Sequence, residues 1–157
     1  MAGAGFSPDR RYRYALWRQW SPGPPARTIC FVLLNPSTAN ATQLDPTLTR
    51  CLGHAKRWGF DRMNVVNLYA FRTPYPKIMR AQADPTGPEN VAAIQRYVGE
   101  SDFCIAAWGS KVIESGRLKW LCQLADPIQV HVLGFTASGE PLHPLPLRGD
   151  CGHRPGC

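Results

Sequence analysis

Four predominantly apolar runs, at residues 28–34, 63–68, 103–107 and 128–133, are separated by longer polar stretches. Each run has the length of a β-strand, and its continuous apolar character is typical of a strand that is buried on both faces. The runs therefore predict the central strands of a sheet.

Residues 11–20 show a different pattern, in which charged and aromatic side chains alternate. A period of two predicts a strand with unlike faces, at or near an edge of the sheet. In this interpretation Tyr12, Tyr14 and Leu16 lie on one face, and Arg13 lies on the other. The Pro- and Gly-rich residues 21–25 then predict a turn.

Three stretches between the strands have the apolar spacing of helices. The first begins at Asp45, which can cap the free backbone N–H groups, and Pro46, which suits the first helical position. This helix is expected to end at Gly59. A capping-box pattern at residues 86–89 predicts the start of a second helix that runs to about Tyr97, and a third helix is predicted over about 113–125.

The predicted order of elements is β, β, α, β, α, β, α, β. Short apolar strands that alternate with helices are typical of an α/β fold with a parallel sheet. We therefore predict a three-layer α/β domain over residues 10–148, with a mainly parallel sheet of four to five strands and helices on both faces. Residues 1–9 and 149–157 are predicted to be flexible termini.

The chain has 157 residues and a formal charge of +7, from 18 lysines and arginines against 11 acidic residues. This charge fits a nucleic-acid partner about as well as it fits a solvated basic surface. No apolar stretch reaches the roughly 18 residues of a membrane span, and residues 1–13 lack the apolar region of a signal peptide. We therefore expect a cytoplasmic monomer with no membrane partner.

Six cysteines are present, and none forms a Cys-x-x-Cys pair. Cys30 and Cys104 fall in predicted strands, and Cys51 and Cys122 fall in predicted helices, so we expect reduced, buried thiols. The tail at 151–157 contains two cysteines and a histidine, but its Gly and Pro content favours a flexible end over a metal site or a redox pair. We expect no metal and no cofactor.

Polar residues follow the predicted strands at the points where the strands end. Asn35 follows the first long apolar run, Asn67 lies near the end of the second, and Trp108 follows the third. His143 lies in a Pro-rich loop beyond the fourth. Because the carboxyl ends of parallel strands meet at one edge of the sheet, these residues are expected to converge on one site.

These motifs resemble a bacterial family of unknown function that carries the signature Leu-Asn-Pro-Ser-Thr-Ala, here at residues 34–39, and more distantly the uracil-DNA glycosylase superfamily. The closer resemblance runs from about Tyr12 to Leu147. The residues that carry it are Leu34-Asn35-Pro36-Ser37-Thr38-Ala39, Asp45-Pro46-Thr47, Arg50, Val66-Asn67-Leu68, Arg72, Ala107-Trp108-Gly109 and His143-Pro144.

The glycosylase resemblance implies a role for each motif. Asn35 would position the attacking water, Asn67 would hydrogen-bond the edge of the base, and His143 would stabilise charge on the departing base. Leu147, in His143-Pro144-Leu145-Pro146-Leu147, would fill the gap left by a flipped nucleotide. Iron–sulfur members of the superfamily share the run that starts at Asn67, but their ligand cysteines have no counterpart here, so no cluster is expected.

The residues predicted to bind substrate are Pro36, Ser37, Asn67, Arg72, Trp108 and Leu147, and those predicted to be catalytic are Asn35 and His143.

Each candidate also has a structural interpretation. Asn35 before a proline can form an Asx turn, Asn67 can bond nearby backbone, and His143 can be structural. Asp45 is most simply a helix cap. Asn35 is also neutral, so it can orient water but cannot act as a general base.

The leading hypothesis is a glycosylase-like protein that recognises a nucleobase or nucleotide and hydrolyses the N-glycosidic bond in nucleic acid, with DNA as the favoured partner. The alternatives are a non-catalytic module that binds nucleic acid or a nucleotide, and a hydrolase of small nucleotide-like substrates.

Overall fold

The computed structural model describes residues 1–25, 27–145 and 152–157. Within these residues the chain forms seven strands and four helices, and all the strands join one sheet. In chain order the elements are β1 (Ala2–Phe6), β2 (Arg13–Gln19), β3 (Thr28–Leu33), α1 (Pro46–Arg57), β4 (Arg62–Asn67), α2 (Pro76–Arg80), α3 (Asn90–Gly99), β5 (Phe103–Ala106), α4 (Arg117–Ala125), β6 (Val130–Val132) and β7 (Arg154–Pro155).

The strand order across the sheet is β1-β2-β4-β3-β5-β6-β7. The four central strands run parallel, since β3 pairs with β4 and β5, and β5 pairs with β6. The edge pairs β1–β2, β2–β4 and β6–β7 are antiparallel. The fold is therefore mixed α/β, and the prediction of a mainly parallel sheet of four to five strands is wrong at the edges, where segments near the chain ends add antiparallel strands.

The central strands are buried on both faces. In β3, Ile29 and Phe31 pack with α1 on one face, whereas Cys30 and Val32 pack with α3 and α4 on the other. Complete burial of these side chains explains why the strand has a continuous apolar sequence. The helices therefore cover both faces of the sheet and leave its carboxyl edge to the connecting loops.

The start of α1 follows the sequence prediction. Asp45 Oδ1 accepts a hydrogen bond of 2.9 Å from the backbone N–H of Leu48, and Pro46 occupies the first turn. The α4 helix begins at Arg117, later than the predicted residue 113, because Gly116 has a left-handed backbone (φ +78°) through which a right-handed helix cannot continue. The short helix α2 was not predicted.

The chain ends pair with the sheet, in contrast to the flexible termini that were predicted over residues 1–9 and 149–157. Ala2–Phe6 forms the edge strand β1, and Arg154–Pro155 forms β7 beside β6. Backbone hydrogen bonds to the neighbouring strands hold both segments, and apolar periodicity does not reveal such pairing. Residues 149–151 of the predicted tail lie outside the described residues.

A disulfide joins Cys122 of α4 to Cys157. The prediction of reduced cysteines is therefore wrong for Cys122, because the tail reaches back to this helix. It is confirmed for Cys30, Cys51 and Cys104, which are free and buried. Across the described part of the chain, no helix is both long and apolar enough to cross a membrane.

Candidate functional site

A cavity of about 430 Å³ opens at the carboxyl edge of the parallel strands. Five of the predicted site residues line it together, and they come from the exits of β3, β4, β5 and β6. They are Asn35, Ser37, Asn67, Trp108 and His143. The strand exits therefore converge as the parallel arrangement of the central strands requires, and the cavity is large enough for a nucleotide-sized molecule.

Asn67 provides the most unusual feature of the cavity. Its side chain is completely buried, yet neither Nδ2 nor Oδ1 has a hydrogen-bond partner among the described residues. The neighbouring Asn90 bonds only the backbone here, since its Nδ2 donates to the carbonyl oxygens of Asn67 and Leu68 at 2.8 and 3.0 Å. An unpartnered buried amide costs about 1–3 kcal/mol, so this side chain is better suited to a ligand than to stability.

The amide group of Asn35 has a defined orientation. Its Nδ2 donates to the carbonyl oxygen of Thr73 at 2.8 Å, and lies 3.2 and 3.4 Å from those of Pro36 and Phe71. Because three carbonyl oxygens surround one end of the amide, that end must be the nitrogen. The interaction ties the exit of β3 to the loop after β4, and it leaves Oδ1 as an acceptor on a residue that lines the cavity.

His143 is held by its own loop. Its Nδ1 lies 3.1 Å from both the backbone nitrogen and the carbonyl oxygen of Leu145, so the ring bonds the backbone in either tautomer. Burial lowers the pKa of His143 below its usual value, and the Leu145 carbonyl and the Asp45 carboxylate oppose this shift. The neutral imidazole that results keeps Nε2 available, as a donor in one tautomer and an acceptor in the other.

Two contacts join the loops after β5 and β6. The indole Nε1 of Trp108, which is almost fully buried, donates to Glu140 Oε2 at 2.9 Å, and the backbone N–H of Gly109 donates to the carbonyl of Pro141 at 2.8 Å. Gly109 has a φ of +76°, and a Cβ added there would lie 3.3 Å from the Cβ of His143. The glycine therefore allows close approach of the histidine loop.

Arg13 and Asp45 also line the cavity, and neither was predicted to be a site residue. Arg13 is 1% exposed; its Nη1 donates to the carbonyl of Ala39 at 2.8 Å, and its Nε has no partner among the described residues. Burial lowers its pKa to about 10, although the nearby Asp45 carboxylate favours the charged form. The alternating pattern of β2 could not reveal Arg13, because the residues around it in this strand are buried on both faces of the sheet.

Two predicted substrate-binding residues, Arg72 and Pro36, are not among the described residues that line the cavity. Arg72 turns to the N-terminal segment, where its Nη1 donates to the carbonyl of Arg10 at 3.0 Å and its guanidinium lies over the Phe6 ring. Pro36 is buried, and its carbonyl accepts the backbone N–H of Thr73. Leu147 lies outside the described residues.

The described ranges contain no group of three or more His, Cys, Asp or Glu side chains that could hold a metal ion. The sequence profile of a family described as a protein of unknown function (DUF1643) matches residues 13–145. No curated protein and no solved structure matches the chain significantly.

Proposed function

The chain belongs to the DUF1643 family of proteins of unknown function, and we propose that its cavity recognises a nucleobase or nucleotide and supports hydrolysis of the N-glycosidic bond in nucleic acid. The observation that carries this proposal is the unpartnered, completely buried amide of Asn67 in a cavity shared with Asn35 and His143. A side-chain amide offers a donor next to an acceptor, which matches the pattern on the edge of a base.

The resemblance of the sequence to uracil-DNA glycosylases supports the same assignment. In this proposal the domain is glycosylase-like, and the loops after its parallel strands surround a base that has left the duplex stack. The chemistry that such a site needs is modest. It must place a water near the sugar carbon, hold the base, and stabilise the negative charge that develops as the base leaves.

The proposed roles follow from the hydrogen bonds that each side chain has left to make. Asn35 Oδ1 orients the water, since the opposite end of this amide is fixed by the backbone of residues 71–73. His143 donates from Nε2 to the departing base in the tautomer whose Nδ1 accepts the Leu145 N–H. Asn35 is neutral and cannot take a proton from the water, so its contribution is positional.

A polyanionic substrate is consistent with the formal charge of +7. Arg10 and Arg72 both stack on the Phe6 ring, at 4.0 and 4.7 Å, and form a basic cluster beside β1. This cluster would contact phosphates outside the cavity, so Arg72 keeps a role in binding that is separate from the base. Binding of a short duplex should then weaken steeply as the salt concentration rises.

The test is an assay of base release from duplex and single-stranded oligonucleotides that carry uracil, other deaminated bases or common modified bases. Asn35→Ala should remove most of the rate while affinity stays nearly unchanged, and His143→Ala should also lower the chemical rate. Leu147→Ala should weaken productive binding to duplex and leave single strands unaffected, because only a duplex leaves a gap to fill.

A non-catalytic binding module is the second candidate. The observation that favours it is the structural role of Asn35, whose nitrogen joins two loops while its oxygen cannot act as a base. This candidate is the better one if no substrate releases its base and both the Asn35 and His143 variants reduce affinity alone.

A further inference from the structure

The cavity contains a buried positive charge that the proposed recognition of a base does not use. Arg13 is 1% exposed and lines the cavity, and it forms no ion pair with any described residue. Its Nη1 donates to the Ala39 carbonyl, and its Nε has no hydrogen-bond partner among these residues. Buried charges in proteins are normally paired, because removing an ion from water without a partner costs several kcal/mol.

The surroundings of Arg13 add to the positive charge. Among the described residues, the groups that act on it electrostatically are the carboxylate of Asp45 and the guanidinium groups of Arg72 and Arg18, which is one anion and two cations. One oxygen of Asp45 is also engaged, since Oδ1 accepts the Leu48 N–H at the start of α1. Lys111, a further basic residue, also lines the same cavity.

We propose that Arg13 binds the terminal phosphate of the ligand, so that the cavity takes a phosphomonoester: a free nucleotide or the phosphorylated end of a strand. This inference rests on the proposed function, because it assumes that the base of the same ligand meets Asn67. A guanidinium group binds phosphate through two parallel N–H···O bonds, and a phosphomonoester carries a charge of about −1.5 to −2 near neutral pH.

The burial of Arg13 is what selects a terminal phosphate. An internal phosphodiester continues into a sugar on both sides, so it stays at the surface while only the flipped base enters a cavity. A terminal phosphate has one covalent connection and can enter beside the rest of the nucleotide. Arg13 is 1% exposed but lines the cavity, so a terminal phosphate that enters the cavity can approach it and a continuous backbone at the surface cannot.

Calorimetric titration of the full chain tests the proposal. The probes are inorganic phosphate, a nucleoside, its 5′- and 3′-monophosphates, and a short single strand with and without a terminal phosphate. The better monophosphate should bind the wild type about tenfold or more tightly than the nucleoside, the gain expected of charge-assisted hydrogen bonds. Binding of the phosphorylated strand but not of the free nucleotide would identify a strand end as the source of the phosphate, and the reverse would identify the free nucleotide.

Variants of two arginines on the same strand separate a specific contact from general charge. Arg13→Gln should bring the affinities for monophosphate and nucleoside to within about twofold of each other, and Arg13→Lys should retain part of the difference. Arg18→Gln is the matched control, because Arg18 also lies on β2 and donates to a backbone carbonyl, that of Asn40, but is not among the residues that line the cavity. It removes only one of the surrounding cations that act on Arg13, so it should keep most of the difference. Circular dichroism establishes that each variant is folded.

The possible failures are distinguishable. Equal affinity of the wild type for nucleoside and monophosphate overturns the role of Arg13, even if Arg13→Gln does not fold, and leaves the proposed function intact. If inorganic phosphate binds through Arg13 and a nucleoside monophosphate binds no more tightly than phosphate, the proposed function is overturned. The proposal that Arg13 binds an anion then still stands. An equal loss in Arg13→Gln and Arg18→Gln attributes binding to general charge and overturns the specific site.

Discussion

Two buried asparagines, Asn67 at the end of β4 and Asn90 at the start of α3, illustrate how the same side chain can serve structure or a ligand. Asn90 Nδ2 donates to two backbone carbonyls at the strand exit, those of Asn67 and Leu68. Asn67 is equally buried, but its amide makes no hydrogen bond within the described residues. The amide of Asn90 therefore stabilises the fold, whereas the unpartnered amide of Asn67 makes the fold less stable.

This contrast predicts opposite effects of two matched substitutions. Asn67→Ala should leave the free energy of unfolding unchanged or higher, and should weaken nucleoside binding by about 1–3 kcal/mol, the range for a bidentate amide contact. Asn90→Ala should lower the free energy of unfolding by about 1–3 kcal/mol, because two carbonyls lose their donor. Urea denaturation and calorimetry measure the two quantities. A large loss of stability in Asn67→Ala would show that its amide is structural.

His143 makes a pH-dependent contribution to stability. Because burial lowers its pKa, the folded state binds this proton less readily than the unfolded chain, whose usual value is 6.5. The number of bound protons is then larger in the unfolded state, so stability rises with pH. The contribution of His143 is complete above pH 6.5 and is lost as the pH falls through the pKa of the folded state.

Proton NMR should therefore show that the His143 imidazole titrates with a midpoint below 6.5, and His143→Gln identifies its resonance. In the same variant, the fall in the free energy of unfolding between about pH 7.5 and about pH 5.5 should be smaller than in the wild type. Burial also lowers the pKa values of His131 and His153, so these two histidines account for the pH dependence of stability that remains in the variant. A midpoint above 6.5 would contradict the burial of the ring.

At the scale of elements, the start of α1 serves both the fold and the cavity. Asp45 caps the helix through Leu48, and Asp45, Pro46, Thr47 and Leu48 all line the cavity. The carboxylate also acts electrostatically on Arg13 and His143, favouring the charged form of each. The cap and the charge are properties of the same side chain, and substitution can separate them.

Asp45→Asn keeps a good cap and removes the charge, whereas Asp45→Ala removes both. We expect Asp45→Ala to lower the free energy of unfolding by about 1 kcal/mol and Asp45→Asn to change it little. Both should lower the pKa of His143 further, because the stabilising carboxylate is gone. Thermal or urea unfolding and the NMR titration of His143 provide the measurements. Equal destabilisation by the two variants would show that the charge, and not the cap, supports the helix.

At the scale of the whole molecule, segments near both chain ends complete the sheet. The β1 strand extends one edge beyond β2, and β7 pairs with β6 at the other. The disulfide between Cys122 and Cys157 fixes the second of these segments to α4. Nearby, His153 Nδ1 lies 2.9 Å from His131 Nδ1, and both rings pack on Phe103.

Loss of this cross-link should destabilise the oxidised protein. The disulfide spans a sequence separation of 35 residues, for which loop-closure entropy gives a stabilisation of about 3–4 kcal/mol. Cys157→Ser and Cys122→Ser should each lower the free energy of unfolding by about 2–4 kcal/mol. A reducing agent should reproduce that loss in the wild type and leave either variant unaffected. Equal stability of wild type and variants under oxidising conditions would contradict the link.

Local features of the sequence determined the central part of the fold. Continuous apolar runs identified β3, β4, β5 and β6, because strands buried on both faces need apolar side chains on both. The Asp-Pro pair identified the start of α1, because capping and the fixed φ of proline act within one turn. The polar residues after these strands predicted Asn35, Asn67 and His143 as neighbours, since parallel strands end at one edge.

Tertiary structure alone decided the rest. The strands β1 and β7 form through backbone hydrogen bonds to segments that are distant in the sequence. The Cys122–Cys157 disulfide depends on the position of the last residues relative to α4. Apolar periodicity predicts neither feature. Arg72 was expected at the cavity but bonds the N-terminal segment, because β1 brings Phe6 beneath it. Arg13 is buried at the cavity because β2 lies between β1 and β4 and its first residues are covered on both faces of the sheet. An alternating sequence pattern cannot predict this, because burial depends on the assembled fold.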